Sequence, residues 1–230
     1  MNLFTLSTAL VLQDDAPGEE VIESISLLEL LFQGGYMLIP LLVLSIGATY
    51  IFFERLMTLK GAAKTPEGFF DQIKQMVLNG NIQEAKTLCA VTSTPVAKMV
   101  EKGIARIGSP LKNIEASIEN VGKIEIYNLE KNLSLLATIS GAAPMIGFLG
   151  TVTGMIQAFM AIAQEEGAVS PKLLSSGIYE AMITTAAGLV VGILSYLAYN
   201  YLVTRVAKLI HNMEYVSINF IDLLQEPHSK

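Results

Sequence analysis

The chain has 230 residues, 52% of them hydrophobic and 16% charged, with a net charge of −6. A soluble domain carries about 25% charged residues, and here the apolar residues come in long blocks, which points to a membrane protein. No dense basic patch suggests nucleic acid. The single cysteine, Cys89, excludes an intrachain disulfide, and His211 and His228 stand too far apart for metal-ligand spacing.

In chain order, residues 1–35 hold a short apolar run with no lysine or arginine before it. A secretory signal needs that positive start, so the segment reads as an interfacial or disordered arm, with a trimmed signal as the alternative. Residues 36–53, "YMLIPLLVLSIGATYIFF", form the first block long enough to span a bilayer, which takes about 20 apolar residues. Residues 54–132 follow, punctuated by Pro66, "NGN" at 79–81, "TSTP" at 92–95 and Gly108–Pro110. They read as short helices, with Asn81 as N-cap of a helix over Ile82–Cys89. Ser109 before Pro110 is a start signal. From Leu111 the residues Ile114, Ile118, Val121, Glu125 and Leu129 recur at helical spacing. One unbroken helix is expected from there into the second span, residues 133–163. A 164–177 loop, a third span over 178–202 and a helical tail over 203–230 complete the chain.

Lysine and arginine set the direction. Residues 1–35 have none, eleven lie between Arg55 and Lys131, only Lys172 lies between spans two and three, and Arg205, Lys208 and Lys230 follow span three. The 54–132 segment and the tail are therefore expected in the cytoplasm, with the N-terminus and the 164–177 loop outside. The fold class is an all-α integral membrane protein of three transmembrane helices, the second and third extended into the cytoplasm.

The second span contains "GAAPMIGFLGTVTGMIQAF", Gly141 to Phe159. Ser140, Pro144, Gly147, Thr151, Gly154 and Ala158 share one helix face, and Gly150 with Gly154 forms a G-x-x-x-G pair. Small residues let helices approach closely in lipid. The stripe either packs helices or lines an interior path, and the Thr151 hydroxyl favours the path. In the third span Glu180 is the one ionisable residue. Such residues cost about 2.5–3.5 kcal/mol at a helix centre and are usually functional. Thr184, Gly188, Ser195 and Tyr199 lie on its side, flanked by Ala181, Thr185 and Gly192. A glutamate merely solvated near the headgroups is the alternative. Three helices are too few to enclose a conduit alone, so a homo-oligomeric ring is expected. Glu180, Thr151, Thr185 and Thr184 would line its pore, and Gly147, Gly150, Gly154, Pro144, Gly188 and Gly192 would pack its helices. Glu180 would then be the pore's one carboxyl for a proton relay.

At these residues the sequence resembles the MotA/TolQ/ExbB proton channel family: "GFLGTVTGMIQAF" at 147–159, then "IYEAMITTAAGLVVGI" at 178–193. "FERL" at 53–56 and the segment "GNIQEAKTLC…TPVAKMV" support it. Three spans with an outside N-terminus are similar to the ExbB and TolQ branches. The resemblance implies a pentamer in the bacterial inner membrane around an ExbD- or TolR-like single-span partner with an intramembrane aspartate. It implies a motor driven by the proton-motive force, which passes work to a TonB-like or TolA-like protein and so energises transport across the outer membrane or maintains the envelope. It matches Thr151 and Thr185 to the family's pore threonines and Glu180 to its intramembrane glutamate, and gives Glu54 and Arg55 no proton-handling role. Thr153 stands where many TolQ-like and some ExbB-like sequences have tryptophan, so both branches stay open. Sodium as the driving ion and a passive membrane scaffold are the other readings. No nucleophile elbow, phosphate loop or cofactor motif suggests an enzyme.

Overall fold

Helix ends in this chain are set by a few residues with the right turn chemistry. The computed structural model describes residues 35–164 and 171–225. They form α1 (Leu38–Ala62), α2 (Phe69–Leu78), α3 (Ile82–Thr92), α4 (Pro95–Ile104), α5 (Leu111–Glu130), α6 (Leu133–Gln164) and α7 (Pro171–Gln225). No strand occurs among the described residues. Apart from Gly35, the N-terminal arm expected over 1–35 lies outside them.

The "TSTP" punctuation starts α4. The Thr94 hydroxyl accepts from the Ala97 N–H at 3.4 Å, and Pro95 takes the first helical position, where a missing N–H costs nothing. "NGN" ends α2 instead of capping α3. Gly80 adopts φ 77°, the Gly80 N–H donates to Val77 O at 3.1 Å and the Asn81 N–H donates to Met76 O at 2.8 Å. This is a Schellman closure, which needs a residue tolerant of positive φ. The Asn81 side chain makes no cap bond. Its φ of −80° and ψ of 55° are not extended, and its amide donates to Glu84 Oε2 at 3.2 Å.

The unbroken helix expected from Leu111 into span two is interrupted. Lys131 is extended and Asn132 has φ 64°, so α5 and α6 are separate. No glycine or proline marks the break; asparagine is the other residue that visits the left-handed region readily. The opened helix end is satisfied from elsewhere. Arg55, only 5% exposed, donates from Nη1 to Asn128 O at 3.0 Å, one of the last carbonyls of α5, while its other nitrogens pair with the Glu54 carboxylate.

The expected 164–177 loop is shorter than its sequence suggests, because α7 starts at Pro171. Its 55 residues run unbroken through the third span and the tail, about 80 Å at 1.5 Å per residue. A hydrocarbon core is about 30 Å thick, so α7 projects far beyond one. Helices α1, α6 and α7 are each long and apolar enough to cross a membrane.

The main core sits where α1 to α5 gather around the lower half of α7. Ile73, Ile118, Leu202 and Phe220 are all but fully buried there. Gly103 in α4 makes room for Phe220: an added Cβ would lie 2.5 Å from its ring and 2.8 Å from Ile118 Cδ1. Cys89 belongs to this core, and burial pushes its thiol up to about 12, so it is an inert packing residue. Outside this core the outward faces are apolar. Leu42, Val43, Ile46 and Tyr50 on α1, Met145 and Phe148 on α6, and Val190 and Ile193 on α7 are all more than half exposed. Continuous apolar faces of this kind suit lipid or other helices.

Candidate functional site

The membrane halves of α6 and α7 carry few means of attraction in lipid beyond close contact. They are antiparallel and meet through small residues. Ala158 lies against Gly177, Gly154 against Ala181, Gly147 against Thr184 and Gly188, and Pro144 against Gly192. At Gly188 an added Cβ would lie 2.7 Å from Ala143 O and 2.8 Å from Gly147 Cα; at Gly147 it would lie 2.9 Å from Thr184 O. These neighbours are backbone, so even alanine would force the helices apart. At Gly150 the obstacle is the Thr184 hydroxyl. Gly192 admits the Pro144 ring, whose Cγ would sit 2.5 Å from an added Cβ.

The centre of this seam on α6 is the line Ala143, Gly147, Gly150, Gly154 and Ala158, all buried. Ser140, Pro144 and Thr151 are half-buried on its edge. The α6 face that meets α7 is thus turned slightly from the stripe read in the sequence.

The hydroxyls are placed differently from one another. Thr184 is 1% exposed and donates to Ala181 O at 2.8 Å, so it lies inside the seam of a single chain. Thr185 is half-buried and donates across the seam to Gly147 O at 2.9 Å. Thr151 donates to Phe148 O at 2.6 Å within its own helix. Thr151 lies two turns from Pro144, and Thr185 lies two turns from Gly192, in opposite chain directions. Since Pro144 packs on Gly192 and the helices are antiparallel, the two threonines come to the same flank of the seam at the same level.

Glu180 is on the other flank. Thr185 is five residues on, about 140° round the helix. Glu180 shares a stripe with Val191, Ser195 and Ala198, which line a groove against Ala48 and Phe52 of α1. Its half-buried carboxyl reaches Gly35, just before α1, and a side chain on Gly35 would collide with Oε1. Leu133–Gln164 contains no Asp, Glu, Lys or Arg, and Ser175–Thr204 contains one, Glu180. No cluster of three metal-ligating side chains occurs among the described residues.

Two residues that the fold uses, Gly35 and Arg55, have no such role legible in the sequence. Gly35 carries no motif that ties it to Glu180, since the two are far apart in the chain. Arg55 has two marks in the sequence, a charge after an apolar run and a place in "FERL", and neither points to its partner Asn128.

The match to known proteins covers these elements. The family model described as the MotA/TolQ/ExbB proton channel family matches residues 91–215, from the end of α3 through most of α7. An ExbB-like biopolymer transport protein of Synechocystis sp. is 32% identical over 77% of this chain and 71% of its own length. A biopolymer transport protein ExbB of Aquifex aeolicus is 39% identical over 60% of this chain and 87% of its own. The Tol-Pal system protein TolQ of Haemophilus influenzae is 41% identical over 43% of this chain and 41% of its own. The matched region contains the whole glycine seam, both flanking threonines and the lone glutamate, and through it the chain belongs to the MotA/TolQ/ExbB proton channel family.

Proposed function

We propose that the chain is an ExbB-like subunit of a motor in the bacterial inner membrane, driven by the proton-motive force. In this reading it works with an ExbD-like single-span partner that carries an intramembrane aspartate. The motor passes work to a TonB-like protein and energises transport across the outer membrane. The observation that carries the reading is the lone half-buried Glu180 on the otherwise uncharged stretches 133–164 and 175–204, with Thr151 and Thr185 on the opposite flank of the seam. One chain holds the carboxyl and the threonine pair apart. A ring of copies brings the flanks of adjacent chains toward a shared axis, where protons could pass between carboxyl, hydroxyls and the partner's aspartate.

The lysine and arginine distribution supports a topology with residues 54–132 and 203–230 in the cytoplasm and residues 1–35 and 164–177 outside. Apolar residues beyond the spans support a ring, a pentamer by analogy with the family. Ile124 and Tyr127 of α5 and Tyr215 and Ile218 of α7 are at least 60% exposed.

The test is dye-reported proton flux in vesicles holding the chain and its single-span partner. Glu180→Gln and Thr151→Val should each cut flux at least tenfold while the complex still assembles. Unchanged flux in both would overturn the proposal in favour of a passive scaffold. The similarity to a TolQ favours a second reading, a subunit maintaining the envelope. Co-purification with a TolA-like instead of a TonB-like protein would select it.

A further inference from the structure

A groove of about 560 Å³ runs between α1 and α7, on the side of α7 away from the threonine pair. Its walls include Phe52, Phe53, Leu194 and Ala198, and its rim residues Phe53 and Leu197 are more than half exposed. Leu56 and Tyr201 also line a second hollow of about 150 Å³, so the two adjoin. The second hollow is basic. Lys60, Arg205 and Lys208 line it, and neither hollow has an acidic residue in its lining.

We propose that this paired groove binds an anionic phospholipid, with an acyl chain along the apolar part and the headgroup phosphate against Lys60, Arg205 and Lys208. The depth fits. From Leu38 to Lys60 the helix rises about 33 Å, close to the ~30 Å of a hydrocarbon core, so the three cations stand at headgroup level when Leu38 is at the other surface. The charge pattern fits as well: basic pockets between transmembrane helices bind anionic headgroups. Lys60 is in the last turn of α1, where it also suits the helix dipole. Arg205 and Lys208 lie within α7 and have no such reason to be there. None of the three is in an ion pair among the described residues. The arginine is already oriented. Its Nε and Nη2 donate to the Tyr201 hydroxyl at 3.2 and 2.9 Å, and its guanidinium lies 5.2 Å from that ring. Of five N–H donors, those bonds leave others for a phosphate.

The inference rests on the membrane reading of the chain and not on ion conduction, so a lipid measurement can fail while flux stands. The chain has no tryptophan, which makes a single introduced one a clean reporter. Phe53→Trp places it in the groove, and Phe148→Trp places it on an exposed face of α6 as a control. Each full-length variant is reconstituted in phosphatidylcholine vesicles containing an equal fraction of chain-brominated phosphatidylglycerol or chain-brominated phosphatidylcholine. At Phe53→Trp, brominated phosphatidylglycerol should quench with an apparent preference of about fivefold or more, and Phe148→Trp should show no preference. Each of Lys60→Gln, Arg205→Gln and Lys208→Gln should weaken the preference by up to about fivefold. Added salt should weaken it without any of these substitutions. Equal quenching by the two lipids at Phe53→Trp would overturn the proposal in favour of ordinary annular lipid. No quenching by either would overturn it in favour of a neighbouring copy seated in the groove.

Discussion

Thr185 shows how one hydroxyl can be asked for two things. Its bond to Gly147 O ties α6 to α7, a neutral hydrogen bond of about 0.5–1.5 kcal/mol. Thr185→Val keeps the shape and removes the donor, whereas Thr185→Ser keeps the donor. The expected result is that Thr185→Val lowers thermal stability in detergent only slightly, yet cuts proton flux at least tenfold, and that Thr185→Ser restores flux. A loss of stability with unchanged flux would make the hydroxyl a helix tie alone. At this scale Glu180 was legible in the sequence, because a carboxylate in an apolar run is conspicuous. Thr184 and Thr185 were not separable. Which of two adjacent hydroxyls is sealed in a seam depends on the rotation of α7 against α6, and helical spacing places both near the same face.

The junction of α5 and α6 is the element whose behaviour departs most from its sequence pattern. Apolar periodicity continues through Leu129 and into Leu133, and nothing in "EKNL" looks like a break. The backbone nonetheless turns at Asn132, and Arg55 on α1 covers a carbonyl of the freed end. A β-branched residue at positive φ costs about 1–2 kcal/mol, so Asn132→Val should lower the unfolding midpoint in detergent, and Asn132→Gly should leave it close to the parent. Equal stability of the two variants would mean that the turn is not held in solution. The seam of α6 and α7 was more legible, since glycines in lipid-length helices have few uses other than close approach. Its register was not: Gly150 joins Gly147, Gly154 and Ala158 at the contact centre, and Ser140, Pro144 and Thr151 of the predicted stripe lie at the edge.

As a whole, the molecule leaves its apolar surface unfinished in two places. The outward faces of α1, α6 and α7 match the depth of a bilayer. Ile124, Tyr127, Tyr215 and Ile218 lie beyond it, on helices that would stand in water. Burying a large apolar side chain is worth about 1.5–3 kcal/mol, and the proposed ring would repeat that gain at every contact. If the proposed ring forms through them, paired substitutions Tyr127→Lys and Ile218→Lys should shift the detergent-solubilised chain from that ring to smaller species in native mass spectrometry, with helix content by circular dichroism unchanged. An intact ring would remove these residues from the interface.

The sequence by itself determined which stretches are long and apolar enough to enter a membrane, where the positive charge accumulates and which carboxylate stands alone. Those follow from transfer free energies and charge, which act on each residue wherever its neighbours are. Only the tertiary structure decided that Glu180 meets Gly35 on one flank while Thr151 and Thr185 share the other, and that Arg55 covers the end of α5. Those depend on how two helices are rotated and on partners far away in the chain, and local pattern carries no record of either.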